Sequence, residues 1–265
     1  MNVFAVYFSP TGTTKKIVLK IASKLGYDFQ VKDSTLPQNR TETLSFCEKD
    51  VVVFGVPVYA GRVPNVLLPF LRERVNGNGA LAVPVVLYGN RNYDDALIEL
   101  RDILEETGFH TIAAGAFIGE HAFSKKLAAG RPDDADLRLA EKFAEMVLEK
   151  MQSNKPISPV YVRGESPIRP YFVPRDRQGN AVNILKVKPV TLESCTGCGI
   201  CAAVCPVGSI RTDNYSEFSG ICIKCGACIK NCPVGAKCYT DENFLYHQHE
   251  LEESYARRAE PELFI

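Results

Sequence analysis

Eight cysteines form two copies of one spacing pattern in the last third of the chain. The first copy begins at Cys195 and reads C-T-G-C-G-I-C-A-A-V-C-P, and the second begins at Cys222 and reads C-I-K-C-G-A-C-I-K-N-C-P. Three thiolates on one tight loop can face a single iron–sulfur cube, and the glycines between them let the backbone wrap it. A zinc ribbon needs only two C-x2-C pairs, and a disulfide scaffold needs an oxidising compartment. The pattern therefore predicts iron–sulfur clusters.

The repeated pattern C-x2-C-x2-C-x3-C-P resembles that of bacterial two-cluster ferredoxins over about residues 189–240. In that family the fourth cysteine of each run ligates the other cluster. The resemblance implies a small α+β ferredoxin-like domain with two 4Fe-4S clusters and crosswise ligands. We name as cluster I the one implied for Cys195, Cys198, Cys201 and Cys232. Cluster II is the one implied for Cys205, Cys222, Cys225 and Cys228.

Composition and charge are those of an ordinary globular chain. Apolar residues make up 46% and charged residues 23% of the 265 residues, and the formal net charge is zero. A neutral chain gives no sign of a nucleic-acid partner. We expect neither a membrane span nor a signal peptide, because apolar runs are short and the first one has no basic leader. Cysteines committed to clusters indicate a reducing, cytoplasmic setting.

Strand and helix patterns alternate over residues 1–152. Apolar runs predict strands at 2–8, 51–56, 82–88 and 111–118, with a weaker edge strand at 28–32. Helical spacing of apolar residues predicts helices at 15–25, 65–75, 94–107 and 134–151. This alternation predicts an α/β fold with a doubly wound, five-stranded parallel sheet.

Three loops follow strands at the predicted carboxyl edge of this sheet, where doubly wound folds bind ligands. The first is Ser9-Pro10-Thr11-Gly12-Thr13-Thr14, whose hydroxyls and helix amides suit a phosphate, although hydroxyls there could serve only as a helix cap. It contains neither G-x-x-x-x-G-K nor G-x-G-x-x-G, so neither a nucleoside triphosphate nor a dinucleotide is favoured. The other two loops are Pro57-Val58-Tyr59-Ala60-Gly61-Arg62 and Gly89-Asn90-Arg91-Asn92-Tyr93.

With these loops, residues 1–152 resemble flavodoxins, and the whole chain resembles flavodoxin–ferredoxin fusion proteins. The resemblance implies FMN as a cofactor, with its phosphate held by Ser9, Thr11, Gly12, Thr13 and Thr14. Flavodoxins cover both faces of the isoalloxazine ring with aromatic residues, a role implied here for Tyr59 and Tyr93. Either tyrosine could instead be packed with a solvated hydroxyl. The remaining residues implied at the flavin are Pro57, Val58, Gly61, Arg62, Gly89, Asn90 and Arg91.

The segment 119–134 is longer than most connections between a strand and a helix. Two interpretations remain open, an excursion without function and a lid over the flavin. As a lid it would bring side chains to a small-molecule substrate, namely His121, Lys125, Lys126 and Arg131. His121 is the one candidate catalytic residue, although a single histidine is more often packed or exposed than catalytic.

Two further segments carry opposite charges. Residues 153–188 are rich in proline and in basic residues, which predicts an irregular linker lying along the surfaces it joins. Its basic residues are Lys155, Arg163, Arg169, Arg175, Arg177, Lys186 and Lys188. Residues 241–265 are acidic and predict a solvated helix. Their charge also leaves open docking on the linker or on a second subunit, as in a homodimer.

Two functions from different classes remain open. Clusters carry one electron each whereas flavin carries one or two, so the chain is expected to relay electrons between clusters and FMN for a low-potential redox partner protein. Alternatively, it is an FMN-dependent reductase of a small molecule bound under residues 119–134. No nucleophile–base pair stands out in the sequence, which favours the electron carrier.

Overall fold

The protein was analysed as a computed structural model that describes residues 2–26, 28–153, 159–176 and 178–265. Lys155 and Arg177 of the predicted basic linker lie outside these residues. The strands are β1 Asn2–Tyr7, β2 Phe29–Asp33, β3 Leu44–Ser45, β4 Asp50–Pro57, β5 Val75–Asn76, β6 Leu81–Tyr88, β7 His110–Thr111, β8 Ala114–Ile118, β9 Val190–Thr191, β10 Lys237–Cys238 and β11 Glu262–Phe264. The α-helices are α1 Thr13–Leu25, α2 Leu68–Arg74, α3 Ala96–Glu106, α4 Asp134–Gln152, α5 Ile200–Ala203, α6 Ala227–Lys230 and α7 Glu242–Ser254.

The central sheet has the strand order β11-β8-β6-β4-β1-β2. The five strands β8, β6, β4, β1 and β2 are parallel, as the sequence predicted, and β2 lies at the edge of the sheet. The central strands β4 and β6 are almost continuously apolar and buried because helices cover both faces of the sheet. One face packs on α1 and α4, and the other on α2 and α3. The predicted doubly wound α/β fold is confirmed.

Two predicted elements differ from the observed ones. The strand predicted at 111–118 is divided into β7 and β8, which both pair with β6. The helix predicted at 65–75 begins with a 3-10 turn at Asn65–Leu67 before α2. In contrast, α4 begins at its predicted position because Asp133 and Asp136 form a capping box there.

The cysteine-rich segment folds as a small unit with two short helices and one pair of strands. Gly199 precedes α5 and Gly226 precedes α6, each with a positive φ that only glycine adopts without strain. Antiparallel pairing of β9 with β10 joins the two ends of the unit. None of the helices in the described ranges is long and apolar enough to cross a membrane.

The acidic tail contains the predicted helix, α7, but one side of this helix is packed against the rest of the chain and is not solvated. Phe244 and Leu251 of α7 are buried, and β11 continues the central sheet as an antiparallel partner of β8. Arg163 of the linker pairs with Glu262 of β11, so the tail also contacts the linker. The sheet thus has an antiparallel edge strand that the sequence did not predict.

Candidate flavin and iron–sulfur sites

Each predicted set of four cysteines surrounds one cavity. One cavity is lined by Cys195, Cys198, Cys201 and Cys232. The other is lined by Cys205, Cys222, Cys225 and Cys228. These linings show that the fold brings the fourth cysteine of each run to the first three of the other. Within the described ranges, no three His, Cys, Asp or Glu side chains are arranged to hold a single metal ion.

The chemistry of these thiols fits ligands of a metal cluster. Burial raises the pKa of Cys225 and of Cys228 to about 12, so these thiols ionise at neutral pH only beside a strong positive charge such as bound iron. Backbone amides point at two of the sulfur atoms. The amide of Ser209 lies 3.3 Å from Cys205 Sγ, and that of Ala236 lies 3.2 Å from Cys232 Sγ. Such amides favour a thiolate and tune a cluster bound to it.

The two cavities differ in exposure. In the cluster I set, Cys195 and Cys198 are exposed. In the cluster II set, Cys205, Cys225 and Cys228 are buried. The cysteine quartet implied for cluster I therefore lies at the outer end of the unit, and the quartet implied for cluster II lies at the end that faces the central sheet.

The first loop has the features of a phosphate site. Gly12 has a φ of 83°, and a Cβ added there would meet nothing within 4 Å. Ser9 Oγ accepts a hydrogen bond from the amide of Lys15, which fixes the start of α1. Thr14 Oγ1 is buried and has no hydrogen-bond partner among the described residues. Because the first amides of a helix also lack intrahelical acceptors, an anion here would satisfy several donors together.

In the second loop, Tyr59 faces the cysteine-rich unit. Burial raises the pKa of Tyr59 well above its usual value, and the nearby thiols of Cys225 and Cys222 add to the rise. The isolated bridge between Tyr59 and Arg62 tightens the loop, in which Gly61 has a φ of 78°. Tyr59 is thus close to the thiols of the second cysteine quartet.

The resemblance implied a place at the flavin for Arg62, whereas in the structure its guanidinium is engaged by other protein groups. Its guanidinium makes two hydrogen bonds of 2.6–2.7 Å to Glu99, whose side chain is 1% exposed, and stacks on the ring of Tyr171 at 4.8 Å. The amide of Val63 also donates to Glu99. Arg62 is therefore a structural ion-pair partner.

The linker and the tail contact the third loop and engage two of its polar residues for which the resemblance implies a place at the flavin. Asn90 Nδ2 donates to the main-chain oxygens of Tyr255 and Arg257, at 2.6 Å each. Arg91 pairs with Asp94 and stacks on Phe172 at 4.6 Å. The hydrogen bonds of Asn90 and the stacking of Arg91 on Phe172 hold the loop against later parts of the chain.

Tyr93 in the same loop is a core residue and not an open face for a flavin. It is 1% exposed, and its hydroxyl donates to Glu262 at 2.8 Å. Its ring lies 5.7 Å from that of Tyr88, and the guanidinium of Arg163 stands 5.2 Å above it. Tyr93 is thus packed, as in the alternative interpretation, but its hydroxyl is hydrogen-bonded to a carboxylate and not solvated.

The segment after β8 is held by packing contacts. His121 Nδ1 accepts a hydrogen bond from the amide of Phe123, and burial, with Lys230, lowers the pKa of His121 to about 3. Such a histidine has no imidazolium proton to donate at neutral pH. Arg131 is buried in an ion pair with Asp136 and donates to the main-chain oxygen of Ala259. Lys125 and Lys126 are exposed.

Gly89 packs directly against His121, since a Cβ at this position would lie 2.3 Å from His121 Cδ2. The glycine is therefore required by close packing of two loops. His121, the candidate catalytic residue, lies in this contact. Its interactions there are packing against Gly89 and a hydrogen bond from a backbone amide, neither of which indicates catalysis.

Comparisons with known proteins agree with this division of the chain. Residues 4–119 match the family model of a flavodoxin domain, and residues 194–236 match that of a 4Fe-4S dicluster domain. The chain contains a flavodoxin domain and a 4Fe-4S dicluster domain. The first implies FMN, and the second implies 4Fe-4S clusters. The protein accordingly has a redox role in electron transfer.

Solved structures similar to the chain include two flavodoxins and one larger oxidoreductase. An archaeal flavodoxin is 17% identical with a TM-score of 0.43, and the match covers 58% of this chain and 100% of that one. The flavodoxin of Streptococcus pneumoniae TIGR4 is 22% identical with a TM-score of 0.40, covering 57% and 99%. Rubredoxin oxygen:oxidoreductase of Desulfovibrio gigas is 14% identical with a TM-score of 0.35, covering 57% and 37%. A search of curated proteins gave no match.

The dicluster domain packs on the carboxyl edge of the flavodoxin sheet. Ile223, beside Cys222, packs against the main core of the flavodoxin domain. A Cβ on Gly226 would lie 2.5 Å from the main-chain oxygen of Ala122, so the backbones of the two domains are in contact there. Arg40 Nη2 donates to the main-chain oxygen of Pro206 at 2.8 Å. The loops that carry the cluster II cysteines thus rest on the edge that carries the candidate FMN loops.

Two residues that hold later segments against the flavodoxin domain were not found by the sequence analysis. Lys230 donates to the main-chain oxygens of His121 and Ser124 and pairs with Glu120. Asp95, which is 0% exposed, accepts hydrogen bonds from the linker residues Glu165 and Arg169. No local pattern marks these residues, because their partners are more than 60 positions away in sequence.

Proposed function

We propose that this protein relays single electrons between FMN in the flavodoxin domain and a redox partner protein through two 4Fe-4S clusters. Cluster II exchanges electrons with FMN, and cluster I exchanges them with the partner. The clusters supply one-electron steps when bound, and the flavin supplies either one or two. In this proposal each quartet of cysteines holds one cluster, and the Ser9–Thr14 loop holds the phosphate of FMN.

The observation that carries the proposal is the contact between the cluster II loop and the candidate flavin edge. A Cβ on Gly226 would lie 2.5 Å from the main-chain oxygen of Ala122, in the segment that follows β8, and Ile223 packs against the core of the flavodoxin domain. Electron transfer needs short distances between donor and acceptor, and these contacts bring the cluster II loop directly against the flavodoxin domain. The exposed pair Cys195 and Cys198 at the opposite end gives a partner access to cluster I.

The chain's own residues hold this path and shield it from water. Burial of Cys205, Cys225 and Cys228 keeps solvent away from the inner cluster. Lys230 ties α6 to the segment after β8, so the inner cluster is fixed relative to the flavin edge. Two of the candidate lid residues, His121 and Arg131, are engaged in packing contacts, which is why we favour electron transfer over reduction of a small substrate.

The test compares two reductants on the full-length protein. A low-potential one-electron protein donor should reduce FMN in the wild type rapidly, as followed by flavin absorbance in a stopped-flow instrument. In Cys198→Ser, which removes a ligand of cluster I only, reduction by the protein donor should slow at least tenfold. A small chemical reductant that diffuses to the flavin should act equally fast on both proteins.

Cys47→Ser is the matched control, because Cys47 is an exposed cysteine outside both quartets. It should behave as the wild type with both reductants. Equal rates with the protein donor for Cys198→Ser and the wild type would show that electrons do not enter through cluster I, and the relay would have to be abandoned.

A further inference from the structure

Lys237 is a buried cation beside the cavity of cluster I. It is 3% exposed and lines that cavity, whereas it does not line the cavity of cluster II. Its position is fixed by β10, in which it pairs in register with Thr191 of β9. A lysine so deeply buried needs partners for its ammonium group, or its charge would be lost.

The ammonium of Lys237 has two oxygen acceptors and an aromatic ring. Nζ donates to Thr191 Oγ1 at 2.6 Å and to the main-chain oxygen of Tyr215. It also lies 5.2 Å from the centre of the Phe218 ring. No carboxylate is among these partners. The positive charge is therefore held in place without being neutralised by an acid.

Lys237 is the lysine that lines the cavity of the cluster I quartet. Among the described residues, the other buried lysine near a quartet is Lys224, which donates to the main-chain oxygens of Leu185 and Cys222 on the cluster II side. Lys224 therefore cannot replace Lys237 at cluster I.

We propose that Lys237 sets the reduction potential of cluster I by holding a fixed positive charge against it. The proposal rests on the proposed presence of two clusters, but not on electron exchange with FMN. One electron from a donor changes cluster I and its four thiolates from about two to about three net negative charges. No bond breaks and no proton moves. A nearby buried cation favours the more negative state, so it raises the potential.

The experiment is a redox titration of the full-length holoprotein with dithionite and mediators, followed by electron paramagnetic resonance. Cys198→Ser and Cys225→Ser identify which signal belongs to each cluster. At the wild-type midpoint of cluster I, Lys237→Gln should lower the ratio of reduced to oxidised cluster I about tenfold, which corresponds to about 59 mV for one electron. The ratio for cluster II should change less. Lys237→Arg, which keeps the charge, should restore most of the wild-type ratio.

Two controls separate a fixed internal charge from other effects. Lys188→Gln removes an exposed cation 5.4 Å from the same Phe218 ring and should leave both midpoints unchanged. The shift in Lys237→Gln should persist in high salt, because buried charges are screened much less than exposed ones. An unchanged cluster I midpoint in Lys237→Gln, or an equal shift in Lys237→Arg, would overturn the proposal.

If Lys237→Gln does not assemble cluster I, Thr191→Val decides the question. This variant removes one acceptor but keeps the ammonium group, so the midpoint of cluster I should stay close to that of the wild type. A tenfold change of the ratio in Thr191→Val would mean that the hydrogen-bonded anchor matters and not the charge. These are equilibrium measurements, so failure of the relay to FMN would leave them unaffected.

Discussion

Lys230 on α6 donates a hydrogen bond of 2.7 Å to the main-chain oxygen of His121, which follows β8. The same ammonium pairs with Glu120 and reaches the main-chain oxygen of Ser124 at 3.3 Å. Because α6 carries Cys228, this one side chain connects the cluster II quartet to the edge of the flavodoxin sheet. The relative position of the two proposed redox sites therefore depends on a lysine that belongs to neither.

Lys230→Met should weaken this connection. The variant leaves two carbonyl groups and a carboxylate without their donor, so we expect a loss of about 1–3 kcal/mol in the free energy of unfolding. Chemical denaturation followed by circular dichroism measures it. Lys125→Met is the control, because Lys125 is an exposed lysine of the same segment and should change stability by less than about 0.5 kcal/mol. Equal losses in the two variants would contradict the role given to Lys230.

Thr14→Val should weaken the binding of FMN. The Thr14 hydroxyl is buried and unpartnered among the described residues, and valine has the same shape without the donor. A hydrogen bond to a charged group contributes about 1.5–3 kcal/mol, so FMN affinity should fall at least about tenfold. Titration of the apoprotein by flavin fluorescence gives the dissociation constants. Riboflavin, which lacks the phosphate, should bind both proteins equally. A similar loss for riboflavin would place the hydroxyl away from the phosphate.

Tyr93→Phe should affect stability and leave FMN affinity unchanged. The substitution keeps the ring in the core and removes only its hydrogen bond to Glu262, at a cost of about 1–2 kcal/mol in the free energy of unfolding. Thermal unfolding and a flavin titration on the same preparation measure both quantities. Should FMN affinity fall while stability stays at the wild-type value, the flavin role first implied for Tyr93 would be reinstated.

Asp95 should make stability depend on pH in the acid range. The hydrogen bonds from Arg169 lower the pKa of Asp95 to about 2, and those from the backbone amides of Arg169 and Glu165 act in the same direction. Because the folded-state pKa lies below the unfolded value, this contribution is complete above about pH 4 and is lost as the pH falls through 2. It amounts to about 2 kcal/mol.

Asp95→Asn should remove that part of the pH dependence. We expect its free energy of unfolding to be lower than that of the wild type at pH 7, and the difference to shrink between pH 4 and pH 2. Denaturation at a series of pH values measures this. Asp102→Asn, at a more exposed carboxylate of α3, serves as the comparison. A constant difference from pH 7 to pH 2 would argue against ionised Asp95 as the anchor of the linker.

The crosswise ligation has its own spectroscopic consequence. Because Cys205 lines the cavity of Cys222, Cys225 and Cys228, Cys205→Ser should alter the same paramagnetic resonance signal as Cys225→Ser. The signal altered by Cys198→Ser should be the other one. A match between Cys205→Ser and Cys198→Ser would require each run to hold its own cluster.

Much of the fold followed from local patterns in the sequence. The alternation of apolar runs and helical spacing predicted the five parallel strands. A strand covered by helices on both faces is apolar throughout, and each covering helix has apolar residues on the side that contacts the sheet. The cysteine spacing predicted three ligands of each quartet, since thiolates on one short loop lie close together in any fold, and the resemblance to two-cluster ferredoxins implied the fourth from the other run. The hydroxyl-rich loop was found in the same way, as Ser9 and Thr14 are close in sequence and in space.

Tertiary structure alone decided which loop residues remain open to a cofactor. Tyr93 has the residue type and position of a flavin neighbour, but Glu262 and Arg163 fill the space around it from distant parts of the chain. The strand β11 has three residues and no pattern that distinguishes it from a solvated tail, and it forms because the edge of β8 offers free backbone groups. Such long-range contacts depend on where whole elements pack. Residue spacing within one element therefore cannot predict them. It does predict ligands that lie together on a single loop, such as the first three cysteines of each run.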